Sequence, residues 1–147
     1  MDDRYAQLKR IFQCHGVALA YLFGSMATPA HRFLTNGQLD VSDPLADIDI
    51  GVVFENPGVL ADPASRRERY SGLFNDLTDV FPEDRLDLVF LQETHSVFQA
   101  QAMTGFCVYA VSRVFKTTYE ERVLARAADF RPFLERYYEE RLGGIMP

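Results

Sequence analysis

The chain has 147 residues, 48% of them apolar and 24% charged, with a net charge of −6. That is the balance of an ordinary globular chain, predicted to form a single domain over residues 1–147 with room for a substantial core. An acidic balance argues against direct nucleic-acid binding, which needs a basic surface, and no apolar run approaches the roughly 18 residues of a membrane span.

In chain order, residues 3–14 place Tyr5, Leu8, Ile11 and Phe12 on one face and stop at Gly16, which predicts an amphipathic helix. The opening Met1-Asp2-Asp3-Arg4 is acidic and runs into that helix. It does not read as a secretion signal, so the expected location is cytoplasmic. Residues 17–23 are a continuous apolar run, predicted to be a strand buried on both faces. Gly24-Ser25 breaks it, and Pro29 is expected to leave about one helical turn at most after Ser25. Residues 31–41 carry Asn36-Gly37 between partly apolar flanks, a hairpin signal. Residues 47–54 form a second buried strand, closed by Asn56-Pro57-Gly58.

Asp62-Pro63 predicts a capped helix start. Tyr70, Leu73, Phe74, Leu77 and Phe81 then keep helical spacing as far as Pro82. Arg66-Arg67-Glu68-Arg69, at the start of that helix, reads as a solvated face rather than a phosphate grip. Residues 86–91 form a third strand. Thr94 is expected to cap a helix that carries Phe98 and Ala102 on one face and stops at Gly105. Residues 106–110 form a fourth strand, at an edge. Over residues 112–142, Tyr119, Val123, Ala127, Phe130, Leu134 and Tyr137 step by three or four, with Pro132 expected to kink or split the helix. The predicted fold class is α/β (α+β): one small mixed sheet of about four strands, packed with helices and followed by a long kinked C-terminal helix. Cys14 and Cys107 are too few for a disulfide framework or a zinc cluster and read as small apolar residues. His31 and His95 lack partners at ligand spacing.

The chemistry gathers in two segments. Residues two apart on a strand share a face, so Asp47 and Asp49 project together while Ile48 and Ile50 turn the other way. Two such carboxylates repel, and the repulsion needs an offset: solvent, an arginine or a divalent cation. Magnesium takes carboxylates, waters and substrate phosphates as ligands, so two or three carboxylates at a cleft edge suit it. Asp87 stands in a matching place near the start of the third strand and can join the pair if the strands are neighbours. Such a triad can hold two metal ions and place a hydroxyl for attack on phosphorus. Gly24 lets backbone approach closely, and Ser25 can donate to phosphate oxygens. Each piece alone is ordinary, since Asp-x-Asp mostly sits in solvated turns. Together, in strand context and in this order, they favour a site. Residues 1–111 hold fifteen Asp and Glu against eight Lys and Arg, so the acidic surplus lies with the carboxylates.

Leu22-Phe23-Gly24-Ser25, Asp47-Ile48-Asp49 and Leu86-Asp87-Leu88 resemble the pattern of the polymerase β nucleotidyltransferase superfamily, and within it the minimal nucleotidyltransferases. The resemblance implies the polymerase β-like fold. It also implies transfer of AMP from ATP to a hydroxyl, with Gly24 and Ser25 binding the nucleotide. Asp47, Asp49 and Asp87 would then be both catalytic residues and ligands of Mg²⁺, expected as two ions. Minimal members resemble antitoxins that adenylylate a tyrosine on a HEPN-domain toxin, so the expected partner is such a toxin. A rival is a nucleotidyltransferase acting on a small molecule such as an aminoglycoside; another is a binding antitoxin that keeps the fold without catalysis. The aromatic C-terminal helix can dock a helical partner or a second copy of the chain, as a homo-oligomer. One departure stands out. Twenty-one residues separate Ser25 from Asp47, about twice the family's usual loop, and residues 31–41 read as a hairpin insertion at the rim. Asp40 and Asp43 lie nearer the usual spacing, but Pro44 follows at once and no buried strand begins there.

Overall fold

The computed structural model describes residues 3–35, 37–39, 45–82 and 85–142, with backbone alone for 131, 133, 134, 137, 138 and 140–142. Helix α1 (Arg4–Cys14) is capped by Asp3, whose carboxylate accepts the Tyr5 N–H at 3.0 Å. It turns at His15-Gly16 into β1 (Val17–Phe23), whose first six residues are all buried. The other strands are β2 (Ile48–Phe54), β3 (Leu86–Phe90) and β4 (Phe106–Ala110). The sheet order is β3-β2-β1-β4. β1 is antiparallel to both of its neighbours, while β2 and β3 are parallel. A parallel pair needs a crossover. Helix α3 (Pro63–Leu77) lies in that connection, with Asp62 accepting the Ser65 N–H at its N-cap and Pro63 in its first turn. β4 lies at an edge, as its short half-buried sequence predicts.

Alternation sorts the two faces of the sheet. Ile48, Ile50, Val52 and Phe54 of β2 and Leu86, Leu88 and Phe90 of β3 point into one cluster with Leu8 and Phe12 of α1 and Leu73 and Leu77 of α3. Leu19 and Tyr21 of β1 and Val53 of β2 point to the opposite side. There they meet Phe98 and Ala102 of α4 (Ser96–Met103) and Phe115 and Tyr119 of α5 (Arg113–Leu142). Buried Tyr21 donates its hydroxyl to Glu120 Oε2 at 2.8 Å, and Lys116 Nζ donates to Oε1 of the same carboxylate at 3.0 Å. That network ties α5 to the central strand.

Four expectations change. Residues 31–35, expected as one arm of a hairpin, belong instead to helix α2 (Ala27–Thr35). Pro29 is its third residue, where a missing N–H costs nothing because the first four helical N–H groups have no partner within the helix. Asn36 and residues 40–44, the rest of that expectation together with Asp40 and Asp43, lie outside the described residues. His95 rather than Thr94 caps α4, its Nδ1 accepting the Phe98 N–H at 3.2 Å. Of the two outcomes expected at Pro132, a kink or a split, the split does not occur, since α5 runs through Pro132 as one helix. Cys14 and Cys107 are free and exposed, not packed apolar residues. Among the described residues, no helix is long and apolar enough to cross a membrane.

Candidate active site

The carboxylates meet through register. Asp49 is the Cα partner of Asp87 on β3 and of Phe23 on β1. Ile48 and Ile50 are committed to the core with α1–α3, so Asp49 projects from the opposite face, the one that α4 and α5 partly cover. Phe23, Asp49 and Asp87 thus form one row across three strands. Asp47 is exposed just before β2 begins.

Their proximity appears in the ionisation of Asp49, whose pKa is pushed up to about 6. Burial is the largest cause, followed by the charge of Asp87, a hydrogen bond between the Asp49 and Asp87 carboxyl groups, and the charge of Asp47.

The Gly-Ser turn belongs to the same structure. Gly24 has φ +78°, and a Cβ built on it would stand 2.3 Å from Asp49 Oδ2. Any side chain at residue 24 would be strained and would displace the carboxylate. Exposed Ser25 follows, and α2 starts two residues later with Ala27 N–H bonded to Gly24 O at 3.2 Å. Backbone N–H groups at a helix start, with the positive end of the helix dipole, form an anion-binding turn. Three of the five residues singled out in the sequence meet, Gly24 lying against Asp49 and Asp49 standing opposite Asp87 in the sheet, while Ser25 follows Gly24 along the chain and the charge of Asp47 reaches Asp49.

The donor set suits an oxygen-seeking divalent ion. Asp49 and Asp87 are register partners on adjacent strands, and the charges of Asp87 and Asp47 both act on Asp49, a surplus that a divalent cation would relieve. Among the described residues, no three His, Cys, Asp or Glu side chains stand as a ready-formed ligand group. Asp49 and Asp87 thus fit as the pair on which an ion would bind, with Asp47 at its edge.

Other residues take places that the sequence did not show. Arg66 grips Glu93 with two bonds of 2.7 Å, and Arg69 donates to His15 O at 2.8 Å, so both are ties between elements rather than a solvated face. Their long flexible stems gave no periodic signal of this. His31 stacks on Phe106 at 4.1 Å. Tyr70, read as part of a core stripe, has its phenol pushed up by burial and then by the charge of Asp87, which puts it in the neighbourhood of that carboxylate. Phe23, beside Asp49, packs edge-on against Phe98 of α4 at 5.7 Å. Only register could reveal either neighbour.

The family profile described as polymerase beta, nucleotidyltransferase, matches residues 6–113, a span that contains all five site residues. The fold is similar to a chain of the complex of tri-AMPylated Shewanella oneidensis HEPN toxin with MNT antitoxin, at TM-score 0.56 and 18% identity over 98% of this chain and 97% of that one. It is also similar to a chain of a toxin–antitoxin complex with AMP-PNP, at TM-score 0.61 and 17% identity over 97% of this chain and 98% of that one. A chain of the MntA–HepT toxin–antitoxin complex aligns at TM-score 0.55 and 18% identity, over 98% of this chain and 97% of that one. At these identities the likeness speaks for the fold. No curated protein matches the chain. With the family's profile covering most of its length, the chain belongs to the polymerase β nucleotidyltransferase family.

Proposed function

We propose that the chain transfers AMP from ATP to a hydroxyl of a partner protein, a HEPN-type toxin, and so acts as an antitoxin. The observation that carries the reading is the row in which Asp49 stands opposite Asp87 in the sheet and lies against Gly24. It sets a phosphate-binding turn against paired carboxylates, the arrangement that nucleotidyl transfer requires. The solved relatives named above supply the acceptor class: one holds an AMPylated HEPN toxin and another AMP-PNP.

Gly24 and Ser25 bind the β- and γ-phosphates through backbone N–H groups and the Ser25 hydroxyl. Asp47, Asp49 and Asp87 would hold Mg²⁺, two ions for three carboxylates, which neutralises the triphosphate and acidifies the acceptor hydroxyl. Asp87, on the edge strand, takes the hydroxyl proton. The acceptor oxygen bonds to the α-phosphorus, the bond to the bridging oxygen breaks, and pyrophosphate leaves.

ATP labelled in the α-phosphate tests this, incubated with Mg²⁺, the chain and a HEPN toxin. The toxin should acquire label, whereas γ-labelled ATP should leave none. Asp47→Ala with Asp49→Ala should cut transfer by at least about a thousandfold while the fold persists. Label on a small molecule instead would favour the aminoglycoside-type rival. Neutralisation of the toxin by the double variant would reduce the chain to a binding protein.

A further inference from the structure

Asp47 stands outside the strand that carries its companion. The parallel ladder opens with Ile48 opposite Leu86 and continues with Asp49 opposite Asp87. Asp47 and Arg85 each lie one residue ahead of that first pair, at the same end of the sheet. Register therefore fixes Asp49 and Asp87 in the row, whereas Asp47, exposed at the strand entry, needs another hold. The connection leading into it makes the need greater. Twenty-one residues separate Ser25 from Asp47, and the entropy of fixing the ends of a connection grows with its length.

Two arginines tie that connection at its ends. Where it leaves α2, Arg4 of α1 lies 3.8 Å over the Phe33 ring and donates to the carbonyls of Phe33 and Gly37, the second at 3.0 Å. Where it enters β2, Arg85 Nη1 donates to the Ala46 carbonyl at 3.3 Å, and Ala46 packs against the core cluster shared with α1 and α3. Arg85 is half-buried, and its own backbone N–H is bonded to Pro82 O at 3.1 Å, so the arm reaches out from a fixed base. Its guanidinium holds the carbonyl before Asp47 and not the Asp47 carboxylate, which forms no ion pair with any described residue. An arginine paired with that carboxylate would compete with a cation for it. One bonded to the neighbouring carbonyl steadies the backbone and leaves the carboxylate to the cation.

We propose that Arg85 is a positioning residue for the metal site: by holding the Ala46 carbonyl it sets the direction in which Asp47 meets a divalent cation shared with Asp49 and Asp87. The proposal rests on the metal-dependent transfer read above and adds what aims the third carboxylate. A ligand already aimed loses less freedom when the ion binds, so affinity rises without any new contact to the ion.

The test follows Mn²⁺ binding to the metal-free full chain through the paramagnetic resonance signal of the free ion, a readout independent of transfer. Arg85→Met keeps an apolar stem and removes the donors, and it should weaken Mn²⁺ binding about tenfold. Arg85→Lys keeps the charge and a donor but not the planar fork, and should lose about threefold. It replaces the methionine variant if that one does not fold. In Asp47→Ala, whose affinity is already reduced, Arg85→Met should change Mn²⁺ binding by less than about twofold, because the arginine acts through that residue. With ATP and a HEPN toxin, Arg85→Met should need about tenfold more Mg²⁺ for half-maximal transfer, while KM for the toxin stays unchanged. Native Mn²⁺ affinity in a folded Arg85 variant, or a further loss of the same size in the Asp47→Ala background, would overturn the tie and leave the transfer reading intact. Native affinity in Asp47→Ala itself would overturn Asp47 as a ligand, and with it the metal site on which the proposal rests.

Discussion

Asp49 meets two opposed requirements. As the proposed cation ligand it must be ionised, yet burial and two neighbouring carboxylates favour its neutral form, with the pKa raised from 3.8 to about 6. The sign of the effect on stability follows. Between those values the native carboxyl keeps its proton while the unfolded one has lost it, so this group's contribution to stability is greatest at low pH and is lost as pH rises through about 6. Asp49→Asn removes the conflict. Without divalent cations, the variant should melt above the native chain at pH 8, by an amount on the order of 1 kcal/mol once solvent screening of a half-exposed group is discounted. The gap should close by pH 4, as thermal melts across that range will show. A variant that melts lower than the native chain at pH 8 would mean that the charges are already compensated. Tyr70 and Phe23, beside the same carboxylates, carry no sequence signal of their role, because each reads equally well as an ordinary core aromatic.

At the scale of elements, the strands were legible because their apolar runs are short and bounded. β1, expected over residues 17–23, is found there in full. The alternation of Asp47, Ile48 and Asp49 correctly predicted which side chains face away from the core. The misreadings have local causes. Pro29 looked like a breaker because a proline is harmless only in the first turn of a helix, and the helix start could not be placed from sequence. His95 escaped notice because an imidazole nitrogen caps as an acceptor only in the right tautomer and rotamer. The pairing of Asp49 with Asp87 depends on a parallel register fixed by the crossover through α3, which no local pattern encodes. The bond from Tyr21 to Glu120, likewise, joins residues 99 apart in the chain. Tyr21→Phe removes that bond and leaves Glu120 paired with Lys116, so the loss should be about 1 kcal/mol, some 3 °C in melting temperature. Hydrogen exchange should quicken in the first turns of α5 and stay unchanged in α3.

The whole molecule is a device for bringing distant segments into one row, and its charge should answer to metal. Because the carboxylates sit in surplus negative charge, about 10 mM Mg²⁺ at pH 7.5 should raise the melting temperature, by an amount on the order of 1 kcal/mol if binding is near millimolar. The rise should shrink at pH 5, where Asp49 holds its proton, and should vanish in Asp49→Asn. An equal rise in that variant would place the ion elsewhere.

β1 is the centre of the sheet, and that position bears on how the protein is made. It leaves the ribosome soon after α1, almost wholly apolar, with both hydrogen-bonding edges bare. One edge closes only when β2 follows, and the other only when β4 does, long after Asp87 has been synthesised. Until then the nascent chain displays a strand of the kind that recruits other strands, which makes this interval its period of greatest aggregation hazard. Since Phe23 and Gly24 are held in place by that same strand, the order of synthesis couples solubility to competence. A chain settles the row of Phe23, Asp49 and Asp87 only as it ceases to be sticky.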